Sequence, residues 1–185
     1  GVDVTPLQGA TIEEDLARRD LTVNAIAAPL SGDAPVDPHG GIADLAAGRL
    51  RMVGPGAFAA DPVRLLRLAR LAQQLGFEVD ATTARTARAD ARRVWDTPRE
   101  RLRDELVRTL CHPDAPRAVA RMDELGILGA LVPALEEARG VDQSDYHDRD
   151  VLGHTLVVVR IAGELAGDPS PVFRAQAPGV GALLA

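Results

Sequence analysis

Residues 61–76 constrain the fold of this chain more than any other stretch. They read Asp61-Pro62-Val63-Arg64-Leu65-Leu66-Arg67-Leu68-Ala69-Arg70 and run on to Leu75 and Gly76. At helical spacing Arg64, Arg67 and Arg70 share one arc, while Leu65, Leu66, Leu68, Ala69, Ala72 and Leu75 fill most of the opposite one. The segment is therefore predicted as a helix that buries leucines on one face and aims three guanidinium groups from the other. Asp61 supplies an expected N-cap, Pro62 a first helical residue and Gly76 a C-terminal stop. The Asp61 carboxylate serves either as that cap or as an acceptor for a base edge. A plain amphipathic helix and an anion-binding helix both fit the pattern.

Downstream the helical pattern continues. Thr97-Pro98-Arg99-Glu100 reads as a cap, an N1 proline and a glutamate closing a capping box. Leu102, Leu106 and Leu110 follow at helical spacing with Val107 beside them. Further helices are expected over about 115–125, ending at Gly126, and from near Asp150. The last carries Leu152, Leu156 and Val159 on one stripe and Val158, Ile161 and Leu165 on its neighbour. Upstream, residues 1–54 read as mixed α/β. Val2 to Thr5 is strand-like, Thr11-Ile12-Glu13-Glu14 is a capping box, Leu21 to Ala27 is a strand-like run, and Leu50 to Val53 is a closing strand.

Charge sorts the functional classes. The net charge of -6 argues against a nonspecific nucleic-acid coat. Yet residues 61–121 carry 13 arginines against nine acidic residues, so a basic zone sits inside an acidic protein. That suits a confined polyanion site, and equally a solvated helical surface. No apolar run approaches the ~20 residues of a membrane span, so a soluble chain without a membrane partner is expected. Cys111 is the only cysteine and makes a reducing cytoplasm the expected location. Gly1 brings neither an initiator methionine nor a signal-peptide pattern, which suggests a piece of a longer chain.

Three further clusters carry candidate chemistry. Arg18-Arg19-Asp20-Leu21-Thr22-Val23-Asn24-Ala25 sets two arginines and an aspartate in one turn. Together they can hold phosphate and a ribose hydroxyl, or simply form an ion pair at a helix end. Val36-Asp37-Pro38-His39-Gly40-Gly41-Ile42-Ala43-Asp44 reads as a tight turn braced by Asp37 and Asp44, with His39 exposed. Tyr146-His147-Asp148 and Gly153-His154-Thr155 offer histidines as metal ligands or as ordinary helix residues.

Taken in order, RRDLTVNA, DPHGGIADL, DPVRLLRLAR and ERLRDEL resemble the successive motifs of class II nucleotidyltransferases, the family of bacterial CCA-adding enzymes and poly(A) polymerases. In that family an RNA 3′ end attacks the α-phosphate of a nucleoside triphosphate with the help of metal ions on paired carboxylates. The resemblance implies that Arg19 and Asp20 contact triphosphate and ribose, with Asn24 bracing the turn. It implies that Asp61 and Arg64 pair with the incoming base edge and that Arg67 and Arg70 lie along the nucleotide pocket. Asp37, Gly40 and Asp44 would support the fold, and Glu100, Arg101 and Glu105 would brace the arginine helix from behind. The family's Asp-x-Asp pair is expected upstream of residue 1, leaving Asp3 as the one weak catalytic candidate here. The usual Glu-Asp opening of the helix motif is Ala60-Asp61 in this chain, which removes one polar contact near the base pocket.

YHDRDVLGHT resembles the first helix of an HD phosphohydrolase-like domain, with His154 at the place of a metal-ligating histidine. The expected fold is therefore α+β. It comprises part of a nucleotidyltransferase head over 1–55, an all-helical neck and body over 56–140, and the start of an HD-like region over 141–185. The implied parent activity is addition of CCA to the tRNA 3′ end from CTP and ATP with Mg2+. Poly(A) addition is the close alternative, and a noncatalytic RNA-binding module or an HD phosphohydrolase are those of another class.

Overall fold

The computed structural model describes residues 5–112, 114–141 and 150–167. The strand-like residues 2–4, with Asp3, and the cluster Tyr146-His147-Asp148 lie outside the described residues. In chain order the described elements are α1 (Ile12–Leu16), α2 (Gly41–Ala46), β1 (Arg49–Leu50), α3 (Ala57–Ala60), α4 (Arg64–Leu75) and β2 (Glu78–Val79). After them come α5 (Ala81–Asp90), α6 (Arg99–Leu110), α7 (Ala115–Glu124), α8 (Ile127–Leu131), α9 (Pro133–Glu137) and α10 (Val151–Gly167). β1 and β2 form a short parallel ladder, with Arg49 opposite Glu78 and Leu50 opposite Val79. The architecture is thus predominantly helical with a small sheet, compatible with an α+β class. None of the described helices is long and apolar enough to cross a membrane.

The apolar face of α4 is the centre of the molecule. Leu65, Leu66, Leu68 and Ala69 are completely buried, and α4 packs most extensively on α7, which contributes Ala118 and Met122. One continuous core runs from Leu21 and Leu50 through Phe58 and α4 to Ile127 and Leu131. The mixed segment and the helical segment therefore share a single hydrophobic interior, which fixes the first against the arginine face of α4. Gly76, at φ +66°, ends α4 as expected, because only glycine enters the left-handed region cheaply.

Several local expectations are corrected. Leu21 to Ala27 is not a strand. It is a 3-10 turn over Thr22–Asn24, flanked by isolated antiparallel bridges from Leu21 to Met52 and from Ala27 to Val36. Asp20 captures the Leu21 amide and the Asn24 side chain, offering this segment an alternative to a sheet ladder. The closing strand is shortened to Arg49–Leu50, because the Met52 amide donates to the Thr83 hydroxyl instead of to a third strand.

Asp61 does not cap α4. The helix begins at Arg64 without a side-chain cap, while Asp61 ends α3 in an extended conformation. The Thr97–Glu100 capping box is also absent. Pro98 occupies the N-cap of α6, and the Thr97 hydroxyl is buried without a hydrogen-bond partner among the described residues. At α1 the cap forms, with Thr11 Oγ1 accepting from the Glu14 amide, but Glu14 reaches back to Ala10 rather than to Thr11.

Candidate nucleotide-binding pocket

The pocket is built where the turn after α1 meets the start of α4. Arg19 folds back onto Asp15, its Nε and Nη2 donating to Oδ2 at 3.0 and 2.6 Å. Asp15 is buried and also accepts from the Gln8 amide at 2.9 Å. The backbone bond from Gln8, with Arg19 second, holds its carboxyl below the usual range. Asp20 follows and is 5% exposed. Burial alone would raise its pKa, but the Asn24 amide, the Arg67 guanidinium and the Leu21 amide outweigh that and hold it low. Arg67 Nε stands 2.8 Å from Asp20 Oδ2, so the partner of Asp20 comes from α4 and not from Arg18 or Arg19.

The opposite wall comes from the α3–α4 junction and α6. Asp61 accepts from Arg101 Nη1 at 3.0 Å and Nη2 at 2.8 Å, a bidentate fork, and Arg64 Nε lies 3.8 Å from the same carboxylate. The Asp61 bond is the largest reason that the Arg101 guanidinium is held above its ordinary pKa. Arg64 donates from Nη1 to the Ala57 carbonyl at 3.0 Å and from Nη2 to the Arg18 carbonyl at 2.6 Å, which leaves it N–H groups to offer elsewhere. It thereby ties the turn after α1 to α3.

Arg19, Asp20, Asn24, Asp61, Arg64, Arg67 and Arg101 line one cavity of about 450 Å³. Four guanidinium groups and two carboxylates line it; even with Arg19 paired to Asp15 behind the wall, Arg67 to Asp20 and Arg101 to Asp61, Arg64 leaves the charge positive. Such a space takes an anion. Arg70 does not line this cavity. It turns to α6, with Nε 2.5 Å from Glu105 Oε1 and Nη1 donating to Gln74. Arg101 does not brace α4 from behind but stands in the pocket wall. Glu105 does pair with α4, through Arg70, and Glu100 is exposed in the first turn of α6.

Behind the turn lies its support. Asp37 accepts from the Gly41 amide at 2.6 Å and the Ile42 amide at 3.0 Å, and Gly40 has φ +73°. A Cβ on Gly41 would stand 2.0 Å from the Thr22 carbonyl oxygen, so α2 can pack on the 22–24 turn only through glycine. Asp44, 1% exposed, accepts from Thr22 Oγ1 at 2.7 Å, Arg49 Nε at 2.7 Å and Arg51 Nε at 2.9 Å. His39 is half-buried rather than exposed, and its carbonyl accepts from Arg51. Sequence reasoning missed Asp15, although its i,i+4 spacing from Arg19 was a usable signal.

Among the described residues no three histidine, cysteine, aspartate or glutamate side chains converge on a metal-sized site. His154 sits in the first turn of α10, its amide bonded to the Asp150 carbonyl.

Residues 3–51 match the family model of the poly A polymerase head domain, and residues 76–139 match that of the probable RNA and SrmB-binding site of polymerase A. The arginine helix lies between the two. A CC-adding tRNA nucleotidyltransferase of Geobacter sulfurreducens is 42% identical over 80% of this chain and 36% of its own length. An A-adding tRNA nucleotidyltransferase of Deinococcus radiodurans is 41% identical over 82% of this chain, again 36% of its own length. The chain thus spans about a third of these curated relatives. Among solved structures, the Bacillus stearothermophilus CCA-adding enzyme in complex with CTP superposes with a TM-score of 0.59 at 34% identity, over 63% of this chain and 30% of that one. With these matches on both sides of the pocket, the chain belongs to the class II nucleotidyltransferase family of CCA-adding enzymes and poly(A) polymerases.

Proposed function

We propose that this chain forms the nucleotide-selecting part of a cytoplasmic enzyme that adds nucleotides to the tRNA 3′ end, with CTP and ATP as substrates. The observation that carries the reading is the arginine-lined cavity between the Arg19–Asn24 turn and α4. Arg19 and Arg67 would meet the triphosphate, Asp61 and Arg64 the base edge, and Asp20 the ribose. These residues bind and orient. Guanidinium forks suit phosphate oxygens, and a carboxylate suits an amino group on a base. The names of the relatives favour tRNA over poly(A) addition, and include both CC-adding and A-adding enzymes.

Magnesium does not fit the residues described. Asp20 and Asp61 are each held by an arginine, and among the described residues no other carboxylate lines the cavity. The HD-like region from about residue 141, with His154 as a ligand, belongs to the same proposal. The test is extension of a tRNA lacking its terminal CCA by the full-length protein, given CTP, ATP and magnesium. We expect extension by the full-length protein and none by the 185-residue chain alone. Failure of the full-length protein to extend tRNA would overturn the reading.

A further inference from the structure

Nothing in the backbone immobilises the Asp61 carboxylate. Asp61 ends α3 at φ −152° and ψ 93°, is followed by Pro62, and caps no helix. Its side chain is 26% exposed at the cavity, and within its own segment only Arg64 approaches it, with Nε at 3.8 Å and beyond hydrogen-bond reach, so something outside the segment must fix its plane. That something is Arg101, 40 residues further on in α6. Two parallel N–H···O bonds, Nη1 to Oδ1 and Nη2 to Oδ2, fix the plane of the carboxylate as one bond could not. Arg101 is itself anchored, because Glu105, one turn later on the same face of α6, is paired to Arg70 of α4. α6 thus makes two side-chain contacts to the α3–α4 segment, Glu105 to Arg70 of α4 and Arg101 to Asp61 at the pocket.

Each carboxylate oxygen retains a lone pair after the fork is made. A base amino group can donate to it, whereas a base carbonyl in the same place would oppose lone pair to lone pair. The discrimination lasts only while the carboxylate plane is fixed. Arg101 is 53% exposed, so its pair with Asp61 contributes little to folding, and its geometry is what remains for it to supply. A lysine would keep the charge but not the fork.

We propose that Arg101 is a positioning residue for nucleotide selection, locking Asp61 in the one orientation that accepts an amino group and rejects a carbonyl. The inference rests on the reading of the cavity as a nucleotide pocket. CTP and UTP differ at that very position, and are the probes. Dissociation constants for both, and kcat/KM for tRNA extension with both, are measured on the full-length protein as wild type, Arg101→Lys and Arg101→Gln, beside thermal melts. The expected result is a fall of about tenfold in the preference for CTP over UTP in both variants, within the range one base-edge contact supplies. Most of it should come from weaker CTP use, and the melting temperature should barely move. Equal weakening of CTP and UTP, full rescue by lysine, a lowered melting temperature with the preference intact, or a wild type that binds both alike would each overturn it. If the wild type extends no tRNA but the binding preference falls in the variants, the functional reading fails and the positioning role stands.

Discussion

The Asp20 carboxylate and the Arg67 guanidinium meet at 2.8 Å, joining the turn after α1 to the arginine face of α4 across 47 residues of chain. The contact decides the shape of the pocket, since it holds Asp20 inward and leaves Arg67 over a third exposed above it. Asp20 also accepts from Asn24 and the Leu21 amide, so three donors already converge on it.

Asp20→Asn therefore loses more than a ribose contact. Hydrogen bonds to charged groups contribute about 1.5–3 kcal/mol, which in a chain of this length corresponds to a fall in melting temperature of roughly 3–12 °C. If Asp20 also meets the ribose, the preference for CTP over dCTP falls as well, on the order of tenfold in kcat/KM. A lowered melting temperature with an intact ribose preference would confine Asp20 to the scaffold.

Gly41→Ala tests the packing of α2 on the 22–24 turn. Its added methyl meets a backbone oxygen at 2.0 Å, so no side chain can yield to relieve it. Overpacking of this kind costs about 1–3 kcal/mol, and the backbone clash puts the expected loss at the upper end. The urea midpoint should fall with an unchanged slope. An unshifted midpoint would contradict the close approach.

Asp44 sets a pH dependence. Burial would raise its carboxyl, but bonds from Thr22, Arg49 and Arg51 outweigh it and place the folded pKa below the unfolded one. The unfolded chain then binds more protons at acid pH. The stabilisation is therefore fully present above the unfolded value of about 3.9 and is lost as pH falls through the folded one. Asp44→Asn should destabilise the protein at neutral pH and flatten the acid limb of its stability curve. Asp15 and Asp20 shift the same way, so part of that limb should persist. An identical acid limb in the variant would remove Asp44 from this role.

The helices around the pocket were legible because their signals are local. Leucine periodicity defined α4 and α6, and Gly76 and Gly126 end or separate helices through positive φ. What escaped were the choices a side chain makes between a local and a distant partner. Asp61 reads as a cap in the sequence, but Arg101 reaches it from α6 and takes both its oxygens. Arg70 shares an arc with Arg64 and Arg67, yet Glu105 draws it out of the pocket. Leu21 to Ala27 has strand composition, and Asp20 and Asn24 bend it into a 3-10 turn. In each case a charged partner far along the chain, or a polar one beside it, outweighed the local preference.

Arg64→Ala in the full-length protein tests most directly whether the arginine pocket selects a nucleotide or merely grips RNA. Misincorporation of UTP and affinity for tRNA lacking CCA are measured side by side. A guanidinium reading a base edge supplies about 1–3 kcal/mol of discrimination, so selectivity for CTP should fall roughly tenfold or more while tRNA affinity is kept. Unchanged selectivity with lost tRNA affinity would rule out nucleotide selection by the pocket and leave α4 as an RNA-binding helix.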